Sequence, residues 1–278
     1  DGLVWSAITN QIEQPGSESE WISVADFPWE RFKKHPWSLS GGDASELLKT
    51  IDSSRSRLEE RVSQIGFVAI TGEDDAFFLP DRSSIRRHRI ESSIPMITGD
   101  VVRDYRLTSQ VEALWPYSPL LKPENIENIP NSIKLLWRNR QILQKRKRFG
   151  KIVETIPHFK WYEHRELYRE KLEYPLSIAF AFVATHNHFV LDRGGKVFNR
   201  SAPVIKLPEG ATEDQHLELL GVLNSSTACF WLKQVSHNKG SGADSKNARQ
   251  TSVPWEDFYD FTGTKLQEFP LPGSLPLE

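Results

Sequence analysis

Leu176-Ser177-Ile178-Ala179-Phe180-Ala181-Phe182-Val183-Ala184 is the run on which the fold reading turns. It is almost continuously apolar, too short to cross a membrane, and bounded by Pro175 and by the polar Thr185-His186-Asn187-His188. That pattern predicts a strand covered on both faces. Downstream, His188–Leu191, the turn Asp192-Arg193-Gly194-Gly195 and Lys196–Phe198 read as a hairpin, and Val204–Leu207 as a further strand. Upstream, Phe67–Thr71, Ala76–Leu79, Met96–Ile97 and Val111–Trp115 read as short strands, with Thr71-Gly72-Glu73-Asp74-Asp75 as a hairpin-like turn.

Helices flank this strand-rich middle. Leu48, Ile51, Leu58, Val62 and Ile65 form one stripe over 43–65, capped by Asp43 or Ser45 and stopped at Gly66. A surface helix on a core explains that stripe better than a coiled coil. Residues 131–148 place Ile133, Leu136, Trp137, Ile142 and Leu143 on another stripe. Residues 212–235 begin at Thr212 with Gln215 in capping-box position and line up Leu217, Leu220, Leu223 or Asn224, Thr227, Phe230 and Trp231. Glu163–Leu172 adds a short helix stopped near Pro175. The expected class is α+β, with short strands in twisted sheets between helices. Residues 1–42 form an arm carrying Trp5, Trp21, Trp29 and Trp37, interrupted at Gln14–Glu20 and Ser38–Gly42; residues 43–272 form the main domain, and 273–278 a tail.

The chain has 278 residues, 38% hydrophobic and 26% charged, with a formal net charge of −2. Wholesale disorder and a transmembrane span are thereby excluded as expectations. The lone Cys229 rules out a disulfide framework and suits a reducing, cytoplasmic setting. Asp1 in place of an initiator Met, with no signal-peptide pattern, is what a piece of a longer protein would show.

Neither a phosphate-cradling glycine loop, a nucleophile elbow nor a Cys/His metal spacing occurs in the sequence. His186 and His188 would share one face of a strand, and Asp192 could complete a metal-binding trio. No second carboxylate or HExxH accompanies them, so a solvated or ligand-facing strand edge is the better reading and no metal is expected. Charge is strongly segregated, however. Lys134, Arg138, Arg140, Lys145, Arg146, Lys147, Arg148 and Lys151 follow one another without an acid between them. Arg82, Arg86, Arg87, His88 and Arg89 make a second cluster, read as a loop, and His237, Lys239, Lys246, Asn247 and Arg249 a weaker third. A single such run is ordinarily a solvated helix face. Three runs, two of them beside Gly, Ser and Asn, suggest a nucleic-acid surface, because phosphates attract cations and flexible Arg and Asn reach base edges.

One segment resembles a known family. Ile94-Pro95-Met96-Ile97-Thr98-Gly99-Asp100-Val101-Val102-Arg103-Asp104-Tyr105 is similar to the Pro–apolar–Gly-Asp–Tyr element of target recognition domains. Those domains lie at the C-terminus of adenine-specific DNA methyltransferases, in type IIG restriction-methylation enzymes and in BREX phage-defence systems. Ala113–Tyr117, Leu136–Arg146, Trp161-Tyr162, Lys171–Phe180, His188–Gly195, Leu219–Ser225 and Leu266–Pro272 match further elements in the same order, so the resemblance spans roughly 66–272. Residues 176–272 look most like the BREX enzymes of the phage growth limitation kind. Pro175-Leu176-Ser177-Ile178 departs from the family's Pro-Lys-Ile, which removes one phosphate-contacting lysine.

The resemblance implies a specificity domain that holds duplex DNA against a separate N-terminal methyltransferase domain, which would bind S-adenosylmethionine and flip out an adenine. This chain would itself have no catalytic residue and no cofactor. Lys134, Arg138, Lys145, Arg146, Lys147, Arg148, Lys151, Lys239 and Lys246 are the expected phosphate contacts. Arg86, Arg87, Arg89, His186, His188, Asn199, Arg200, Asn247 and Arg249 are the candidates for base contacts. The alternative is a protein-interaction module of a phage-defence complex, docking through the tryptophan-rich arm.

Overall fold

The computed structural model describes residues 2–33, 37, 43–240 and 257–275. Two four-stranded sheets share the main core, and the class is α+β. In the central sheet, Gln64–Gly66, Val204–Lys206, Ser177–Phe180 and Phe189–Asp192 lie side by side, all antiparallel. Ile178 faces both Leu191 and Ile205, and all three are buried. The second sheet runs Val197–Phe198, Ser93–Ile97, Val111–Leu114, Phe78–Leu79.

The long apolar run is divided between sheets. Ser177–Phe180 stays in the central sheet, whereas Val183–Ala184 pairs with Phe258–Asp260, which in turn pairs with His237–Gly240. The switch occurs at Phe182, whose N–H donates to the Ser201 carbonyl (2.9 Å) and whose carbonyl accepts from Phe261 (2.8 Å). The expected hairpin across 192–195 does not form. The buried Asp192 carboxylate accepts from Lys196 Nζ (2.7 Å) and Gly194 N (3.1 Å), and Gly194 and Gly195 both take positive φ. The chain is thereby turned out of the central sheet, and Val197–Phe198 runs parallel to Met96–Ile97 instead. Thr71–Asp75 is likewise no hairpin: Ala69–Ile70 pairs with Glu166–Leu167, and a helical turn spans Asp74–Phe77. Glu163–Leu172 holds that strand and a 3₁₀ turn, Arg169–Lys171, rather than a helix.

All three long helices are shorter than their stripes suggest. The first ends at Asp52, where Ser53 Oγ bonds the Thr50 carbonyl (2.6 Å) and Ser54 Oγ bonds that of Leu271. Leu58, Val62 and Ile65 still reach the core, from a 3₁₀ turn at Leu58–Glu60, the connection after it and the strand Gln64–Gly66 respectively. Residues 131–148 become Pro130–Trp137, Arg140–Lys145 and a strand at Lys147–Arg148, and Trp137 and Ile142 of the expected stripe are exposed. The third divides at Asn224-Ser225 into Glu213–Leu223 and Ser226–Val235. Its Thr212–Gln215 capping box forms as expected, and Ser225 caps the second half through the Ala228 N–H.

A smaller second core gathers Phe77, Leu79, Ile90, Leu114, Ile129, Ile133, Leu136, Leu143 and Tyr162. In the arm, helix Leu3–Gln11 buries no residue, and Trp5, Trp21, Trp29 and Trp37 are exposed. The break expected at Ser38–Gly42 lies outside the described residues. Among the described residues no helix is long and apolar enough to cross a membrane.

Candidate nucleic-acid interface

The cations of 82–89 and 134–151 surround the smaller core. Residues 82–89 are not a loop: Arg82–His88 is helical, N-capped by Asp81 and closed by Arg89 at φ 51°. The hydroxyl of Ser83, the N–H of Ser84 and nearby Arg87 hold the Asp81 carboxyl below its ordinary range. This helix abuts the start of the next. Glu91 accepts from the N–H groups of Asn131 (2.8 Å) and Ser132 (3.0 Å) at the head of Pro130–Trp137, and Asn131 Nδ2 donates to the Arg89 carbonyl (3.0 Å). Burial pulls the Glu91 carboxyl upward, but these donors outweigh it and leave it low and charged. Arg140 stacks over Trp137 at 4.3 Å. Beyond Lys145 the chain forms a small hairpin in which Lys147 faces Ile152 and Arg148 faces Lys151.

Arg86, Arg89, Lys134, Arg138, Lys145, Lys147 and Lys151 are exposed, and among the described residues none forms an ion pair. Arg82 differs, being paired with Glu112 at 2.9 Å. So much unpaired positive charge on one lobe generates a potential that ordinary surface pairing would cancel.

Two expected contacts prove to be internal. Arg146 is 5% exposed and donates to the carbonyls of Leu143, Thr71, Trp161 and Glu163. Burial lowers its pKa to about 10, which still leaves it charged at neutral pH. It fastens the hairpin to the body and has no surface left for phosphate. Asn199 is also 5% exposed. Its Oδ1 accepts from Ser201 N (2.7 Å) and Oγ (2.6 Å), and its Nδ2 donates to Asp74 (3.3 Å). It shapes a loop and presents nothing to a base.

Of the remaining candidates, Arg200 and His188 line two concavities that meet at residues 200–201. Arg200 lines one of about 310 Å³ with Arg165 and Thr71–Asp75, whose acids temper the charge. Ser201 lines another of about 600 Å³ with Gly99, Arg103, Thr185, His188 and Phe258. A Cβ on Gly99 would collide with the Ser201 backbone, and Gly99 N donates to Ser201 Oγ (2.7 Å), so glycine is required at that close approach. His186 and His188 lie in the connection after Val183–Ala184, not on a strand. His188 Nδ1 contacts Asp104 at 2.8 Å and Thr185 Oγ1 contacts His186 Nδ1 at 2.8 Å. Asp192 is engaged with Lys196 instead, and among the described residues no group of three acidic, His or Cys side chains could hold a metal. Lys239 pairs with Asp260 at 3.3 Å in the sheet behind this concavity. Lys246, Asn247 and Arg249 lie outside the described residues.

Arg103 and Tyr105 were read only as part of the family-like segment, and Arg106 not at all; none was named as a DNA contact. They are all exposed, on a tight hairpin pairing Val102-Arg103 with Arg106-Leu107, and Tyr105 N is held by the Phe189 carbonyl (3.0 Å). The signal was the short Arg-Asp-Tyr-Arg between two apolar residues, which charge-run counting passes over.

No protein-family profile matches the chain. Among solved structures, the type IIL restriction-modification enzyme MmeI in complex with DNA aligns with TM-score 0.46 and 12% identity, over 73% of this chain and 25% of that one. That likeness is too loose to build on. The sequence relationship is much firmer: the chain is a homologue of one part of the adenine-specific methyltransferase PglX of Streptomyces coelicolor, 45% identical over 281 residues, which are 99% of this chain and 23% of that protein.

Proposed function

We propose that this chain is a DNA target recognition domain, which grips duplex DNA for a separate adenine-specific methyltransferase domain in a restriction-modification or BREX phage-defence system of bacteria. Methyl transfer and S-adenosylmethionine are assigned to that separate domain, and no step of the chemistry is routed through the residues described above. The observation that carries the reading is the set of exposed, unpaired cations on the smaller lobe: Arg86, Arg89, Lys134, Arg138, Lys145, Lys147 and Lys151. Of these, Lys134, Arg138, Lys145, Lys147 and Lys151 suit phosphate, while Arg86 and Arg89, with Arg87 beside them, are offered to base edges. Arg200, Arg103 and His188, at the two concavities, and exposed His186 beside them in the chain are side chains offered to base edges.

The test is anisotropy of a labelled duplex titrated with the 278-residue chain over a range of salt. Replacing Lys145, Lys147 and Lys151 together by Ala should make the log–log salt dependence shallower by about 2–3, since each lost phosphate contact removes close to ~0.9. An unchanged slope would contradict the assignment. The exposed Trp5, Trp21, Trp29 and Trp37 favour a second role for the arm, docking a protein partner such as the methyltransferase domain. Under that role alone, the chain would bind no duplex even at low salt.

A further inference from the structure

The hairpin at 147–152 has an unusual tip. Its two-residue turn is Phe149-Gly150, and both residues take positive φ, 46° and 79°. Such turns favour Asn, Asp or Gly, because a larger L side chain crowds its own backbone there. Phe149 occupies the strained position although the residue is 73% exposed, so core packing does not account for it. The Arg148 guanidinium lies 5.4 Å from the Phe149 ring centre and 4.8 Å from that of Phe159, an arrangement that steadies the exposed ring. Exposed Lys147 and Lys151 flank the tip. Below it, Val153 N closes on the Arg146 carbonyl (2.8 Å), and the buried Arg146 guanidinium ties the stalk to four main-chain carbonyls.

We propose that this hairpin is a wedge for duplex DNA: Lys147 and Lys151 hold phosphates while the Phe149 ring enters between adjacent base pairs. The inference rests on the DNA-binding reading above and adds a contact that reading does not need. Apolar side chains driven between base steps unstack and kink the duplex, and the flanking cations supply the attraction that offsets the unstacking. A ring also stacks on any base, so the wedge would act whatever sequence is recognised.

The experiment uses the full 278-residue chain, a nicked plasmid and DNA ligase, with a parallel anisotropy titration at about 50 mM salt. Ligation with the wild-type chain bound should trap a shifted linking number. Phe149→Asn, which suits the turn, and Phe149→Ala should each abolish that shift and weaken binding about 10-fold, leaving the salt slope unchanged. If wild type and Phe149→Asn bind equally well and give the same topoisomers, the wedge is overturned while the DNA reading stands. If the wild-type chain binds no DNA at this salt, the DNA reading fails and the wedge with it.

Discussion

Asn224 exchanges two hydrogen bonds with the main chain of Phe189, its Nδ2 donating to the carbonyl and its Oδ1 accepting the N–H, both at 2.9 Å. The side chain thus serves a sheet strand at the cost of helix continuity, which is why Glu213–Leu223 and Ser226–Val235 are separate helices. Asn224→Leu would favour one unbroken helix while orphaning the Phe189 N–H and leaving its carbonyl with the Tyr105 N–H alone. Urea unfolding should show a loss of about 2–3 kcal/mol. Asn224→Asp should be nearly as costly, because it removes the donor and faces a carbonyl with a carboxylate.

Arg146→Ala should destabilise the chain by about 3 kcal/mol, since four carbonyls lose a donor in a buried place, although that of Thr71 keeps the Arg165 N–H (3.1 Å). Below its melting temperature the variant should keep the wild-type salt slope for DNA, in contrast to the exposed lysines. A slope as shallow as theirs would show that the guanidinium reaches phosphate after all.

The pH dependence follows from His164. It is fully enclosed by Phe77, Trp115 and Tyr117, and its Nε2 bonds the Leu114 carbonyl at 3.2 Å, so that nitrogen carries the proton of a neutral ring. Burial is the main cause lowering its pKa to about 4. An unfolded chain takes up the proton near pH ~6.5, so the folded state is fully favoured above that and loses stability as pH falls toward 4. The loss should approach 3 kcal/mol, on the order of one buried imidazole left uncharged. Melting temperature measured from pH 7 to 4 should fall accordingly. His164→Gln should flatten the limb, leaving the smaller share of His216, which burial also lowers.

Phe149→Asn should raise stability by about 1 kcal/mol, because Asn tolerates the left-handed backbone that Phe resists. Denaturant midpoints compare the two directly. A destabilised Asn variant would mean that the ring, though exposed, is held by packing.

Gly99→Ala should cost about 2 kcal/mol or more, as its methyl would occupy the space of the Ser201 backbone and displace the 200–201 corner. Binding to duplex should weaken in step with that shift at the two concavities.

Local chemistry made some of this legible in advance. Thr212 with Gln215 announced a helix start because a capping box needs only neighbours in sequence. Short apolar runs announced strands, and mixed α+β architecture followed from their alternation with stripes. Pairing was another matter. The Asp192–Gly195 segment has the composition of a hairpin turn, yet its outcome was decided by Lys196 capturing Asp192 and by a partner strand at Met96–Ile97. Charge runs misled for a similar reason. Arg146 and Lys147 are adjacent and chemically alike, but only the first meets carbonyls from residues 71, 143, 161 and 163. No periodicity in the run records that convergence. Tyr105 was read as part of a family-like segment, but its exposure beside Arg103 and Arg106 was not, because a two-residue turn leaves almost no pattern to read.

The central sheet has an edge whose partner comes late. Gln64–Gly66 pairs with Val204–Lys206, and Arg57 bridges to Pro270 near the far end of the described residues. On a ribosome, the first of these strands must wait with its edge open until roughly 140 further residues have been made. The same delay governs Met96–Ile97, which needs Val197–Phe198 beside it. The smaller lobe, whose core residues run from Phe77 to Tyr162, can close on itself earlier. Folding of this segment is therefore expected to be slow and to begin with its basic lobe, with open strand edges vulnerable to exchange until Val197–Lys206 emerges.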